Sequence, residues 1–200
     1  MAISPLEKLI ESWGISGKAE QIIWVAVEAS ERTRAVIRLF EKINGGWSEQ
    51  LRQKGYVGKN GVSADKREGD AKTPAGAYPL GIAFGAGANP GTRMPYRQMK
   101  PGDVWVDDPA SPLYNTLQQL PARGRWRSAE NMVRSDHLYD YGIVIGYNTK
   151  APVPGKGSAI FIHIADTPTA GCVGIGREDL LQLLFWLDPG KYPIVVITPK

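Results

Sequence analysis

The sequence predicts a mainly β fold, a curved sheet or β-sandwich with a short N-terminal helix and an α-helix packed late in the chain. Three observations predict it. The 200 residues include 23 Gly and 15 Pro, which divide the chain into short segments. Many of those segments are rich in β-branched or aromatic residues, and helical spacing of apolar residues occurs at two places only. Hydrophobic content of 42% with 22% charged residues is ordinary for a globular chain, and a chain of this length buries a substantial core without cross-links.

Taken in order, Ser4, Pro5 and Glu7 form a capping box with proline at the first helical position. Leu6, Leu9, Ile10 and Trp13 follow at helical spacing, and Gly14 ends the helix. The stretch from Met1 to Gly14 does not read as a signal peptide, because Glu7 and Glu11 interrupt its apolar residues and no cationic start precedes them. Residues 1–18 are therefore expected to form a helical extension, and residues 19–200 one domain. Gln21 to Ala29 and Thr33 to Glu41 read as a hairpin, with Asn44-Gly45-Gly46 as the next turn. From Gly55 to Gly91 the chain is dominated by Gly, Pro, Lys and Asp, a loop-rich stretch that a compact domain rarely keeps without a use for it. Short strands are expected at Val104 to Val106, Tyr141 to Tyr147 and Ala159 to Ala165. Leu180, Leu181, Leu184 and Leu187 then set a helix within Arg177 to Asp188, Pro189-Gly190 stops it, and Tyr192 to Thr198 returns to strand.

The charge balance of 24 Lys+Arg against 20 Asp+Glu is scattered along the chain, without the clustered stripe that nucleic-acid binding requires. A solvated basic surface explains it, and mild attraction for an anionic polymer is compatible with it. No run of about 18 apolar residues exists, so no membrane span is expected. One cysteine forbids an internal disulfide and a redox Cys-x-x-Cys pair. With two histidines it also misses the usual spacing of metal ligands, so no metal or organic cofactor is expected. The oligomeric state is not legible.

The chemistry-bearing residues are Cys172 and His163, nine positions apart. His163 falls near the end of an expected strand. Cys172 falls in the turn Thr169-Ala170-Gly171-Cys172-Val173-Gly174, which is expected to lead into the late helix. A cysteine just before a helix has its thiolate favoured by the helix dipole, and a neighbouring imidazole takes the proton, so such a thiol is nucleophilic near neutral pH. Glycines around Cys172 allow a tight turn in which its amide and those of Gly171 and Val173 face a developing oxyanion. No Asp or Asn stands beside the pair, which leaves a backbone carbonyl, such as that of Ile164, to fix the imidazole tautomer. Spacing alone also allows the bland alternative, a buried filler cysteine and a strand-edge histidine.

The segments Phe161-Ile162-His163 and Thr169-Ala170-Gly171-Cys172-Val173 resemble the catalytic motif of the L,D-transpeptidases of the YkuD group. Lys66-Arg67-Glu68-Gly69-Asp70-Ala71-Lys72-Thr73-Pro74-Ala75-Gly76-Ala77-Tyr78-Pro79-Leu80-Gly81 is similar to the family's Gly-Asp-x-x-Thr-Pro-x-Gly segment, and Asp136 to Asn148 to the stretch leading into its central strands. The resemblance covers roughly Gln21 to Lys200. It implies a β-rich catalytic domain that acts on peptidoglycan stem peptides in the cell envelope, although no leader is visible. Cys172 would attack the carbonyl of the third stem residue and expel the terminal D-alanine, with His163 as general base and the Ile164 carbonyl as its orienter. An amine acceptor then gives a cross-link, and water gives L,D-carboxypeptidase or cysteine-amidase activity. An inactive peptidoglycan-binding module is the rival outside enzymes.

Two departures from the commoner pattern stand out. Ala170 replaces its second histidine, and Gly174 stands where an arginine is usual, within a shortened spacing. Arg177, Arg127 and Arg123 are candidates for a substitute cation on the substrate carboxylate, although each also reads as a plain surface residue. Trp105, Tyr114, Tyr139 and Asn148 are candidates to line a substrate groove, with core positions as the alternative. Asp70 and Thr73 are expected to shape their loop through side-chain to backbone bonds. His137 is a further candidate for the substrate site.

Overall fold

The computed structural model describes residues 4–15 and 17–199. The outer bounds of the two expected segments, Met1 and Lys200, and Ser16 within the first, lie outside the described residues. The chain forms helix α1 (Pro5–Ser12), a run of strands β1 (Gln21–Val27), β2 (Arg34–Ile43), β3 (Gly46–Tyr56), β4 (Val62–Ser63), β5 (Thr73–Pro74), β6 (Gly76–Gly85) and β7 (Tyr96–Gln98), then β8 (Asp103–Val106), β9 (Leu117–Gln119), β10 (Ala129–Asn131), β11 (Gly142–Ile145), β12 (Phe161–Ile164) and β13 (Val173–Ile175), helix α2 (Arg177–Trp186) and strand β14 (Ile194–Thr198). The fold is mainly β with two α-helices, as the sequence predicts.

Nine strands form one sheet in the order β11-β12-β13-β3-β2-β1-β14-β6-β7, and β11 also pairs with β6. That extra pairing joins the two arms, so the sheet curves round and closes on itself. β1 lies between antiparallel β2 and parallel β14, with Ile22 opposite both Phe40 and Ile194. Alternation along β1 divides its side chains between two layers. Ile23 and Val25 enter the main core with Ile37, Leu39, Val195 and Ile197. Ile22 meets Leu6, Leu9, Phe40 and Val196 on the other face, so α1 packs against the sheet. The Ser4 capping box is present, with Glu7 N–H donating to Ser4 Oγ at 3.2 Å. Helix α2 lays Leu180, Leu183 and Leu184 into the main core, joined by Leu187 at its C-cap, all at 0% exposure. Each such leucine is worth about 2 kcal/mol of transfer free energy.

Four strands of this sheet were not legible as strands: β3, β6 and the three-residue β7 and β13. β3 extends the expected hairpin along the whole of β2, but its burial alternates weakly and its buried positions are Gln53 and Gly55. β6 runs through the expected loop region. Its Pro79, Gly81 and Gly85 read as breakers, yet they mark close approach: a Cβ at Gly85 would stand 2.2 Å from the Asp140 carbonyl oxygen. A second sheet, β10-β8-β9, lies beside an aromatic cluster in which Phe161 meets Trp105 and Phe84 edge-on, both at 5.1 Å. Cys172 belongs to this cluster.

Candidate active site

β12 and β13 run parallel and adjacent, with Ile162 opposite Val173 and His163 opposite Gly174. Cys172 is the residue just before β13. The structure therefore corrects one expectation: three strand residues and Gly176 separate Cys172 from α2, so the helix dipole does not act on the thiol. The turn is held by threonines instead. Thr169 Oγ1 donates to the Cys172 carbonyl at 2.6 Å, and Thr73 Oγ1, from β5, donates to the same oxygen at 3.0 Å. Gly171 has φ +147°, and a Cβ there would stand 3.0 Å from the Lys72 carbonyl oxygen, which explains the glycine. Its N–H donates to Thr169 Oγ1 at 3.1 Å, so this amide closes the turn and is not the free oxyanion donor the sequence suggests.

The thiol of Cys172, 7% exposed, donates to the Ala159 carbonyl at 3.2 Å and accepts the Phe161 N–H at 3.4 Å. His163, 5% exposed, is held at Nδ1 by the Ile164 carbonyl at 2.9 Å. A carbonyl only accepts, so Nδ1 carries the proton and Nε2 keeps the lone pair. Tyr139 stands edge-on to the imidazole, with ring centroids 5.0 Å apart. Burial pushes the Cys172 thiol up to about 12 and the His163 imidazole down to about 4. Burial thus disfavours the charged form of each partner and works against the preformed ion pair that a helix N-terminus would favour.

Both residues line one cavity of about 480 Å³. Of the residues the sequence analysis singled out, Tyr139 and Gly171 also line it. Val173 and Ile164 flank it within their strands. Tyr114 lies behind the wall, donating its hydroxyl to Glu68 and accepting the Gly157 N–H at 3.0 Å. The remaining candidates are engaged elsewhere. Trp105 is a core residue whose Nε1–H donates to Asn115 at 2.8 Å. Asn148 clamps its own loop, donating to the Val153 and Gly157 carbonyls. His137 is exposed and faces Asp140 at 3.3 Å. Arg177 pairs with Asp140 at 2.9 Å and covers the Tyr141 ring, and Arg127 lies 3.6 Å from Asp108. Arg123 is exposed in a turn at φ +48°. Asp70 shapes its loop as expected, accepting from the Arg67 and Lys72 amides at 2.8 and 2.9 Å.

The sequence alone assigned the cavity's charged residues no role at the site. Its cations are Lys59, Lys66 and Arg134, and its carboxylates are Glu68, Asp107 and Glu130. Lys66 is 3% exposed and donates to Asp70 at 2.6 Å and to the Arg67 carbonyl at 2.7 Å. Arg134 lies over the Tyr139 ring at 5.1 Å and pairs with Asp136. Glu130 accepts the Tyr139 hydroxyl at 3.0 Å, and burial raises its pKa. Lys66 and Glu68 sit in the quoted Gly-Asp-Thr-Pro segment, where they carried a signal. Asp107, Glu130 and Arg134 lie in short strands and turns whose sequence has no pattern to expose them.

A family model for the L,D-transpeptidase catalytic domain, YkuD, matches residues 23–197, nearly the whole chain. The protein is thus an enzyme-family domain with a cysteine and a histidine on one cavity wall. It belongs to the YkuD L,D-transpeptidase family. No curated protein matches the chain.

Proposed function

We propose that the protein is a peptidoglycan L,D-transpeptidase working through an acyl-thioester at Cys172. The observation that carries this reading is that Cys172 and His163 line the same cavity, with the imidazole fixed by the Ile164 carbonyl in the tautomer that leaves Nε2 basic. His163 Nε2 takes the thiol proton as the sulfur attacks the carbonyl of the third stem residue. The C–S bond forms, and a tetrahedral oxyanion develops. The imidazolium then protonates the D-alanine nitrogen, and the C–N bond breaks. Because burial opposes a free thiolate, proton transfer and C–S formation proceed together once substrate occupies the cavity. The thioester passes to an amine, giving a cross-link, or to water, giving the L,D-carboxypeptidase reaction.

Such a substrate places the enzyme in the cell envelope. Among the described residues no helix is long and apolar enough to cross a membrane. The domain reading is one catalytic unit from residue 19 onward with α1 as an appended helix packed on the sheet. Incubation with a disaccharide-tetrapeptide, followed by mass spectrometry, tests the assignment. Loss of D-alanine with dimer formation supports transfer, and loss without dimers supports the carboxypeptidase. No change in the peptide would identify an inactive binding module.

A further inference from the structure

Transfer to an amine poses a proton problem that transfer to water does not. An acceptor amine arrives as an ammonium ion and must lose two protons to become an amide. One returns to the Cys172 sulfur through His163. The other needs a second acceptor at the site.

The cavity wall beside the pair provides one. Glu130 lines the cavity with Cys172 and His163, and it is tied to them through Tyr139. That residue donates its hydroxyl to Glu130 Oε2 at 3.0 Å while its ring edge meets the imidazole. Among the described residues Tyr139 donates to this carboxylate, at one oxygen. Asp107 lines the same wall, and its Oδ1 is a buried oxygen without a hydrogen-bond partner among the described residues. A buried acceptor left open in this way is unfavourable, and a bound N–H group would satisfy it. Glu68 completes the acidic side, already occupied by Tyr114 and by Ser158 at 2.7 Å. The charges facing Glu130 are Asp107 and Glu68, which disfavour its ionised form, and Arg134, which favours it.

We propose that Glu130, with Asp107 beside it, binds the acceptor ammonium and takes the proton that this ammonium sheds before attacking the thioester. The inference rests on the transpeptidase reading above. R–NH3+ and the Glu130 carboxylate become R–NH2 and the carboxylic acid. The amine nitrogen bonds to the thioester carbon, its second proton passes to His163 Nε2, the C–S bond breaks, and the imidazolium reprotonates the sulfur. The Glu130 acid then releases its proton to solvent. Burial and the neighbouring carboxylates raise the basicity of Glu130, which suits it to take a proton from an ammonium. Hydrolysis needs no such group.

Glu130→Gln tests this, because the amide oxygen still accepts the Tyr139 hydroxyl. The acyl-enzyme is formed from a tetrapeptide stem and partitioned among three acceptors: water, an alkyl-ammonium stem, and hydroxylamine, which is uncharged near neutral pH. The variant is expected to acylate, hydrolyse and react with hydroxylamine at close to the wild-type rate, while transfer to the ammonium acceptor falls on the order of 100-fold. Asp107→Asn is expected to raise KM for the ammonium acceptor without changing hydrolysis. An unchanged ratio of amine transfer to hydrolysis in Glu130→Gln overturns the proposal, as does equal loss with hydroxylamine. Failure of the underlying reading looks different and shows in the wild-type enzyme itself, as no adduct at Cys172 or as an adduct that only water resolves, and either result overturns the proposal with it.

Discussion

Thr73 Oγ1 donates a hydrogen bond of 3.0 Å to the carbonyl oxygen of Cys172, tying β5 to the Cys172 turn across 99 positions of sequence. The same hydroxyl accepts the buried N–H of Gly58 at 2.8 Å. Thr73→Val keeps the shape and removes both bonds, so the Gly58 amide is left without its acceptor. The variant is expected to lose about 1–3 kcal/mol of stability by urea denaturation. Acyl-enzyme formation, followed by intact-protein mass, should slow about tenfold as the turn shifts, and Thr73→Ser should recover most of both. Wild-type acylation in a destabilised valine variant would show that the tie serves folding alone.

Cys172→Ala is expected to abolish D-alanine release while costing only about 1 kcal/mol of stability, since the deleted atom is small and lies against a cavity. In the wild-type protein without substrate, the thiol should alkylate with iodoacetamide more slowly than a free cysteine at neutral pH, because burial holds it protonated up to about 12. Rapid alkylation at pH 6 would reveal an ion pair that the geometry argues against.

The same burial makes stability depend on pH at both ends. The folded His163 titrates near 4 against an ordinary value of 6.5. The unfolded chain thus binds more protons between those values, and stability falls as pH drops from 6.5 toward 4, by up to about 3 kcal/mol. The folded Cys172 titrates near 12 against 9, so stability falls again as pH rises through that interval. Urea midpoints measured from pH 4 to 7 should slope in the wild type and flatten in His163→Gln. Parallel slopes in both proteins would assign the acid sensitivity to other groups.

The resemblance sets Gly174 where the commoner motif carries arginine, and the structure leaves little room for a side chain there. A Cβ there would stand 2.6 Å from the Ala165 Cβ and 3.2 Å from the Thr169 Cγ2. Gly174→Ala is expected to cost about 1–3 kcal/mol by overpacking. Gly174→Arg should unfold or strongly destabilise the protein, as read by thermal melting, without improving KM for a tetrapeptide. A stable arginine variant with lowered KM would mean that the site tolerates the commoner architecture.

The sequence made the capping box, the hairpin, the late helix and the Cys172–His163 pair legible because each depends on local spacing or on scarce residue types. β6 escaped because its glycines and proline serve contacts with Asp140, Val144 and Ile194, partners distant in the sequence. Glu130 and Asp107 escaped for a related reason: a carboxylate has no distinguishing neighbours until the sheet brings it to a cavity. The expected helix-dipole activation of Cys172 failed on a three-residue strand, too short for any periodicity to announce. Trp105 and Asn148, chosen as ligand-like residue types, turned out to serve packing and a loop clamp.

The parallel pairing of β1 with β14, from Ile22 opposite Ile194 to Ala26 opposite Thr198, has a bearing on biosynthesis. A nascent chain still on the ribosome holds β1 and β6 as unpaired edges until Ile194–Thr198 emerges and slots between them, since β14 bridges the two. Truncation just ahead of Ile194 would therefore leave two adhesive borders and a split barrel, and such chains should be cleared by proteases or aggregate. The risk of misassembly is thereby concentrated in the interval before β14 pairs with β1 and β6.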